Sequence, residues 1–446
     1  MKKIIVTTFI FIFFYGCESF VENADSSVSY ATDDEISSSE NISFLINGVL
    51  NDFSRAYGYV TLWADLLSDA LVNDGRVQGS TDVRGEYLDN GLYDPTVGTY
   101  APPYQAVAQV WRSATSLQSK LDDMDIDASL KTEGYFTAYL YQGLSYYLLG
   151  TYYGKGPSYP SDGGGTLNES AFISSNDLNS SALLYLDSAA SYADDHQTRI
   201  IHSLMARIHL YGNDYLNAAQ HAALGLQDGD APFYARPGLE DPWPNWYWYE
   251  AGNNRTRYTL ASRFKHMLGE DFIDSNGDGV RDSTETFTDC AVVGADIGQG
   301  DGIYNSASEP EESARIKVSA APMTPDTPYM RYYQTKYPDS DSPLNVISWQ
   351  ENHLMLAELA LQGQSVGVSA LDAVNAVRAT HGISNLDNVD LAILLHERDK
   401  ELFCQGQRII DQNRHSDLIN WHLGEGATWH FLPIPYEEEL ANPNYP

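Results

Sequence analysis

The chain has 446 residues and a formal net charge of −35, from 61 acidic residues against 26 lysines and arginines. This balance excludes a general nucleic-acid binder, because neutralising phosphate requires dense lysine and arginine. It also argues against docking on anionic lipid through the protein surface. Only three cysteines occur, so disulfides cannot provide the framework of the fold. Aromatic residues make up 12% of the chain, including 31 tyrosines. The composition therefore predicts a globular, acidic, tyrosine-rich protein.

The amino terminus has the parts of a secretory signal: two lysines after the first methionine, an apolar run over 4–15, and Gly16. The run is too short to cross a bilayer as a helix. With a cysteine directly after Gly16, residues 1–16 resemble a bacterial lipoprotein signal, which implies that Cys17 becomes the lipidated first residue. An ordinary cleaved signal followed by an incidental cysteine is the alternative. Residues 17–40 have too few apolar side chains for a core and predict a flexible tether.

Residues 41–225 show apolar side chains at the three- and four-residue intervals of helices. Between the first helix and the second, residues 73–104 predict a long ordered loop, a kind of segment that is usually functional. Near the end, a helix stops at Gly212-Asn213-Asp214 and the next begins with small residues where the two would cross, which is typical of a tetratricopeptide unit. Stacked helix pairs are therefore the expected architecture. The predicted helices cover about 42–72, 104–124, 129–153, 180–193, 198–212 and a segment from Tyr215.

The rest of the chain divides into an irregular region and a second helical region. Residues 226–348 are rich in proline, glycine, aspartate and aromatic residues, and only 258–268 has helical spacing. Residues 349–446 return to helix pairs, the first over 349–363 and 370–380. From Trp429 the chain closes with a proline-bounded run that cannot be the interior of a helix.

Several segments, in order along the chain, resemble the SusD/RagB family of outer-membrane lipoproteins. Residues 396–411 look like the family's ER-x-x-EL-x-x-EG-x-R-x-x-D-L helix, and 429–435 with 442–445 look like its closing LLPIP…NPxL segment. Residues 351–382 resemble its last helix pair. The resemblance implies a mostly α-helical SusD-like fold, in which tetratricopeptide-like helix pairs form a right-handed scaffold beside an irregular, loop-rich subdomain. It also implies a non-catalytic, lipid-anchored protein on the outer membrane, facing the cell exterior, that binds glycans or peptides beside a TonB-dependent transporter.

A sugar-binding surface needs flat aromatic side chains over the apolar ring faces, with amides, carboxylates and guanidinium groups at the hydroxyls. The proline-bounded, non-helical run 242–249 offers such rings, although packing in the core is an equal alternative for any single one. The resemblance adds the loop 73–104 and the irregular region as the usual sources of ligand contacts. The candidate ligand-binding residues are Trp243, Trp246, Trp248, Tyr249, Arg84, Tyr87 and Tyr93. The helical tyrosines Tyr135, Tyr139, Tyr146 and Tyr147 are instead predicted to lie in the core.

Residues 274–285 match the calcium-loop pattern D-x-[DN]-x-[DN]-G-x5-E at every position. A Ca²⁺ ion takes roughly six to eight oxygen ligands at flexible spacing, and Gly279 permits the sharp turn that such a loop requires. We therefore predict a structural Ca²⁺ site that orders this segment, and a solvated acidic loop is the alternative. For a second acidic stretch, 296–309, both interpretations stay open. The predicted ligands are Asp274, Asn276, Asp278, Val280, Asp282 and Glu285.

No sequence motif assigns a catalytic residue. The chain contains no nucleophile elbow, P-loop or dinucleotide fingerprint, and His396-Glu397 lacks the second histidine of a zinc helix. His202 and His209 share a helix without an acidic or cysteine partner at ligand spacing, so we interpret them as packing histidines. We expect a non-catalytic cell-surface lipoprotein that captures oligosaccharides or polysaccharides and delivers them to a SusC-like TonB-dependent transporter. A peptide-binding RagB-like uptake lipoprotein is the nearest alternative, followed by a helical glycoside hydrolase and a repeat-type interaction scaffold.

Overall fold

The computed structural model describes residues 42–73, 83–91, 101–123, 125–158, 170–238, 244–252, 257–261, 263–264, 269, 275–276, 281–286, 307–322, 330–419 and 429–446. The signal segment, Cys17 and the tether expected over 17–40 lie outside these residues, so they stay predictions. Within the described ranges, no helix is both long and apolar enough to cross a membrane.

The described part of the chain is mostly α-helical, as the sequence predicts. The helices are α1 (Ile42–Leu67), α2 (Val83–Asp89), α3 (Ala101–Asp123), α4 (Ala128–Leu148), α5 (Ser175–Ala190), α6 (Asp195–Tyr211), α7 (Tyr215–Leu224), α8 (Trp246–Ala251), α9 (Trp349–Leu361), α10 (Ala370–Thr380), α11 (Leu391–Glu401), α12 (Arg408–Arg414) and α13 (Tyr436–Ala441). A π-helical turn, Leu149–Tyr153, extends α4, and a 3₁₀ turn covers Pro310–Ala314.

Short antiparallel ribbons of two strands join segments of the chain. β1 (Leu71–Asn73) pairs with β5 (Tyr258–Leu260), β2 (Lys155–Pro157) with β3 (Phe172–Ser174), β4 (Phe233–Ala235) with β8 (Leu344–Ile347), and β6 (Val318–Pro322) with β7 (Met330–Gln334). The β1–β5 ribbon fastens the region predicted as irregular to the end of α1. The β4–β8 ribbon closes that region on itself just before α9.

The predicted helix pairs are present, and local sequence signals explain them. The side chain of Asp194 caps α6 in a capping box, and that of Asp214 accepts a hydrogen bond from the backbone of Asn217 at the start of α7. Asn213, between the two helices, has a φ of 59°, a conformation that asparagine tolerates better than most residues. Ala218 and Ala222 are buried where α7 crosses α6. The pair α9–α10 packs in the same way.

The first helix is the centre of the packing, since α3, α4, α8, α12, β1 and β4 all contact it. The turn before α12 comes especially close, because a side chain on Gly406 would place its Cβ 2.8 Å from the Cα of Thr61. Gly406 also has a φ of 72°, so both space and backbone conformation require glycine there.

Buried ion pairs connect the helical regions to one another. Arg207 on α6 donates from Nε to Glu351 Oε1 on α9 at 2.7 Å and from Nη2 to the carbonyl of Val346 at 2.6 Å. Within the segment that resembles the family helix, Arg398 Nε donates to Asp411 Oδ2 at 2.8 Å, and both side chains are buried. The strongest family-like motif therefore has a structural role.

Several expectations about short elements are wrong. In the segment 258–268, residues 258–260 form a strand, because pairing with β1 outweighs the local helical spacing, whereas residues 263–264 are helical. The run 242–249 contains the start of α8, and the closing run ends in α13. That last helix follows Pro435, and its first turn carries three glutamates, which favour the positive end of a helix. The predicted loop 73–104 includes α2.

The helical tyrosines divide into two groups. Tyr146 and Tyr147 are buried, as predicted. Tyr135 and Tyr139 are only half-buried and stack on Tyr192, with ring centroids 5.1 and 5.8 Å away.

Candidate functional site

The two regions predicted to contact ligand meet at the β1–β5 ribbon. The α2 helix, from the predicted loop, is tied to β1 because the backbone N–H of Asn73 donates to Asp89 Oδ2 at 3.2 Å. The helix also packs closely on β5, since a Cβ on Gly85 would lie 2.9 Å from a ring carbon of Tyr258. On the other side, α8 contacts β5. The ribbon therefore brings elements from both predicted binding regions together.

Asn245 fixes the aromatic run. Its Oδ1 accepts hydrogen bonds from the backbone N–H groups of Tyr247 at 2.9 Å and Trp248 at 3.1 Å, while its Nδ2 donates to the carbonyl of Ser342 at 2.8 Å. The asparagine is thus the N-cap of α8. Because helical turns spread adjacent side chains around the axis, the rings of this run cannot all face one ligand.

The rings of α8 divide between core and surface. Trp246 is 8% exposed and packs on Tyr59 of α1, with ring centroids 4.0 Å apart. Tyr247 is fully buried and donates its hydroxyl to Asp65 Oδ2 at 2.6 Å. Trp248 and Tyr249 are half-buried, with centroids 6.4 Å apart. The core interpretation therefore applies to Trp246, whereas Trp248 and Tyr249 keep surface available for a ligand.

The other predicted contacts are only partly described. Tyr87 lies on α2 and is half-buried. Arg84 lies in the first turn of α2, but its side chain is outside the described part of the chain, as are Trp243 and Tyr93. Tyr59, on α1, is a half-buried ring beside this run that the sequence interpretation did not include.

A cavity of ≈ 390 Å³ lies at the end of the same ribbon. One of its residues, Asp69, stands just before β1, and another, Arg263, just after β5. Its volume falls in the range of small-molecule sites. The cavity is lined by Asp69, Arg263, Ala392, Leu395, His396, Asp399, Arg408, Leu418 and Ile419.

Two arginines and two aspartates form a ring of ion pairs in this cavity. Arg263 binds Asp399 through Nε and Nη2 at 2.8 and 2.9 Å, and Arg408 binds Asp69 through Nε and Nη2 at 2.7 and 3.0 Å. The ring closes because Arg263 Nη1 lies 3.2 Å from Asp69 Oδ1 and Arg408 Nε lies 3.7 Å from Asp399 Oδ1. The four side chains carry no net charge together.

The ionisation of this ring follows from its contacts. Burial alone would raise the pKa of Asp399, but the charges of Arg263 and Arg408 outweigh burial and lower that pKa to about 2. Burial opposes the charge of Arg408 as well, yet Asp399 and Asp69 hold its pKa above the ordinary value. Asp399 is therefore a carboxylate at neutral pH and cannot act as a proton donor there.

The ring is partly exposed, and apolar residues line the same cavity. Asp69, Arg263 and Arg408 leave 22%, 21% and 13% of their side chains exposed. The apolar residues include Leu418, which is 46% exposed. Fixed donors and acceptors beside aliphatic side chains suit a ligand that carries hydroxyl groups around an apolar body.

Part of the predicted calcium loop lies in the described residues. Glu285 Oε1 accepts from the backbone N–H of Ser275 at 2.7 Å, and its Oε2 accepts from that of Asp282 at 3.1 Å. These bonds lower the pKa of Glu285, the one from Asp282 most strongly. Asn276 is exposed. The carboxylate at the end of the pattern therefore closes the loop on its first residues.

The other predicted ligands, Asp274, Asp278 and Val280, lie outside the described residues. Among the residues that are described, no group of three or more histidine, cysteine, aspartate or glutamate side chains could hold a metal ion. The Ca²⁺ site stays a prediction.

The histidines of α6 have partners that their sequence spacing did not reveal. His202 Nδ1 lies 2.9 Å from His221 Nδ1, and His209 Nδ1 lies 3.1 Å from Asp214 Oδ2. Burial, together with His202 and His209, lowers the pKa of His221 to about 4. His221 is therefore neutral at pH 7.

Cys404 is buried and forms no disulfide.

Comparison with solved structures identifies the fold. A SusD superfamily protein from Bacteroides vulgatus aligns with a TM-score of 0.66 at 12% sequence identity, covering 91% of this chain and 98% of its own. A laminarin-binding SusD-like protein aligns with a TM-score of 0.60 at 17% identity, covering 93% and 100%. Surface glycan-binding protein A from Bacteroides thetaiotaomicron aligns with a TM-score of 0.58 at 17% identity, covering 90% and 97%. No family model and no curated protein matches the chain. The chain has a SusD-like fold, which confirms the fold class that the resemblance implies.

Proposed function

We propose that this protein is a non-catalytic glycan-binding lipoprotein of the cell surface, which captures oligosaccharides or polysaccharides and delivers them to a SusC-like TonB-dependent transporter. The observation that carries the proposal is the fold, since structures aligned over nearly the whole chain include a laminarin-binding SusD-like protein and a surface glycan-binding protein. The cavity next to the β1–β5 ribbon and the half-buried rings of α8 are the surfaces that we assign to capture.

The proposed mechanism is binding without chemistry. Rings such as Trp248 and Tyr249 would cover the apolar face of a sugar, and the arginine–aspartate ring would meet its hydroxyls. Asp399 stays ionised between its two arginines, so Asp399 does not supply the proton donor that a glycosidase needs. Affinity would come from stacking at the rings and from hydrogen bonds at the cavity.

The proposal also includes an outer-membrane location and a bound Ca²⁺ ion. The lipoprotein-like signal before Cys17 supports a lipid anchor on the outer membrane, facing the exterior. The loop that ends at Glu285 would hold a structural Ca²⁺ ion through its carboxylate and amide oxygens. Mass spectrometry of the mature amino terminus tests the anchor, because acylated Cys17 has a distinct mass.

The binding function is tested by titration calorimetry of the mature protein against a panel of neutral and acidic glycans and a pool of peptides. We expect binding to at least one glycan and no new reducing ends after prolonged incubation. Release of reducing ends would instead identify a glycoside hydrolase. Binding of peptides without binding of any glycan would favour the peptide-uptake alternative.

The transporter partner needs a separate test in the native membrane. Outer membranes solubilised in mild detergent should yield a TonB-dependent transporter together with the protein, as identified by mass spectrometry. If only the protein itself is recovered under several detergents, while glycan binding persists, delivery to a transporter is the part that fails.

A further inference from the structure

We infer that the cavity between Asp69, Arg263, Asp399 and Arg408 selects an uncharged sugar end group and rejects the corresponding uronic acid. The inference rests on the proposed glycan-binding function and adds the substrate class. The ligand-binding residues predicted from the sequence do not include this ring.

The first step is the charge balance of the ring. Each guanidinium is held by a carboxylate through two contacts of 2.7–3.0 Å. Asp399 and Asp69 already occupy the Nε–Nη2 edges of Arg263 and Arg408, so an incoming carboxylate could take either edge only by displacing an aspartate. The displaced aspartate would then be left partly buried without its partner, which is unfavourable. The Nε–Nη2 edge of each arginine is therefore a poor site for a carboxylate ligand.

The second step is what the ring still offers. A carboxylate oxygen has more than one lone pair, so Asp69 can accept from a ligand while it remains paired with Arg408. Arg408, which is 13% exposed, has N–H groups beyond the two that bind Asp69. A hydroxyl group is both a donor and an acceptor, so one hydroxyl or two neighbouring hydroxyls can bind Asp69 and an arginine without breaking an ion pair. The ring thus matches a neutral polyol better than an ion.

The lining and volume of the cavity and the net charge of the chain also favour a neutral sugar. Leu395, Leu418 and Ile419 line the same cavity as the ring and suit the C–H face of a pyranose. A volume of ≈ 390 Å³ is near the lower end of ligand sites, which fits one or two sugar units rather than a long chain. The net charge of −35 on the whole chain repels anions at longer range.

The experiment uses the glycan that binds best in the calorimetric panel and the same glycan after oxidation of its C6 hydroxyl groups to carboxylates. The intact protein should bind the neutral form at least about tenfold more tightly than the oxidised form. In Asp69→Asn, Arg408 loses the carboxylate that binds its Nε and Nη2, so the oxidised form should gain affinity and the ratio should fall to about threefold or less. Asp387→Asn, an exposed position with the same change in charge, should keep the wild-type ratio.

A second variant leaves the ion pairs in place. Leu418→Glu should weaken binding of the neutral glycan and widen the discrimination against the oxidised form. Leu440→Glu, at an exposed position of α13, should change neither. Circular dichroism and thermal melting confirm that each variant is folded.

The outcomes separate the two proposals. If the neutral glycan binds and none of the cavity variants changes its affinity or the ratio, the inference about the cavity is wrong and the glycan-binding function stands. If the oxidised form binds the intact protein as tightly as the neutral form, the inference is also wrong. If no glycan in the panel binds the intact protein, the proposed function fails and the inference fails with it.

Discussion

Asp65 on α1 lies where α1, α8 and the turn before α12 meet. We predict that the negative charge of its side chain destabilises the folded protein above neutral pH. Its side chain is 1% exposed. It accepts a hydrogen bond from the Tyr247 hydroxyl at 2.6 Å and one from the backbone N–H of Gly406 at 3.1 Å. Burial raises its pKa from 3.8 to about 7, although these two hydrogen bonds and the charges of Arg263 and Lys336 act in the opposite direction.

The direction of the pH effect follows from this rise. Because the folded protein holds the proton of Asp65 more tightly than the unfolded chain does, the group contributes most to stability at low pH. That contribution is lost as the pH rises from about 4 to about 7. The two pKa values differ by about three, and each pKa unit corresponds to about 1.4 kcal/mol, so the full loss is about 4 kcal/mol.

Asp65→Asn should remove this dependence. The asparagine amide resembles the protonated acid, since its NH₂ group can donate to the Tyr247 oxygen while its carbonyl accepts from Gly406. The test follows tryptophan fluorescence during unfolding in urea and derives the free energy of unfolding at each pH from 5 to 8.5. This range lies above the sequence pI of about 4.4. The stability of the variant relative to wild type should increase by about 2 to 3 kcal/mol between pH 5 and pH 8.

The difference between the two proteins isolates Asp65, because all other titrating groups are common to both. The exposed Asp387→Asn serves as the control and should show a difference that is flat with pH. If the difference for Asp65→Asn is also flat, the buried carboxylate is not destabilised by desolvation and the reasoning is refuted.

Three further changes test other parts of the structure. Gly406→Ala should lower the free energy of unfolding by about 3 kcal/mol or more, because the turn has no space for a Cβ. Gly382→Ala, with a similar φ of 68° but open surroundings, should lower it by about 1 kcal/mol. Equal losses would contradict the packing argument. Millimolar Ca²⁺ should raise the melting temperature of the wild type and a chelator should reverse the rise; Glu285→Gln should respond to neither, and a melting temperature of the wild type that ignores Ca²⁺ would rule out the predicted loop. Trp248→Ala should weaken glycan binding about tenfold or more. Phe44→Ala, at an exposed position of α1, should leave the dissociation constant unchanged. Equal effects of the two substitutions would show that the ring of Trp248 is not at the binding site.

The parts of the fold that were predicted correctly are those with local physical causes. The α6–α7 pair follows from helical spacing, a turn at Asn213 and a cap at Asp214, all within a few residues of one another. The predictions that were wrong concern elements whose conformation depends on contacts with residues distant in the sequence. The strand β5 has only three residues and forms because β1 is its partner, and no pattern within 258–268 announces that pairing.

The sequence predicts two ligand-binding regions and seven candidate residues within them, but it does not predict the residues that line the cavity. The β1–β5 ribbon does join those regions, yet the ion pair between Asp69 and Arg408 links positions that are 339 residues apart, which one sequence cannot show. The segment 396–411 was recognised as a motif, and its residues have two roles. Arg398 is buried in a structural pair, while Arg408 reaches the cavity.

The distribution of cationic side chains links the fold to the proposed specificity. Several arginines of this acidic chain are used in buried or half-buried pairs, such as Arg207 with Glu351, Arg398 with Asp411, and Arg315 with Glu312. A pair of this kind hides one charge of each sign, so it leaves the net charge unchanged but removes positive groups from the surface. Ligands with negative charge are then repelled at a distance and find compensated arginines at the cavity. The long-range effect comes from the net charge of the chain and the local effect from the ion pairs of the cavity, and both would favour neutral sugars.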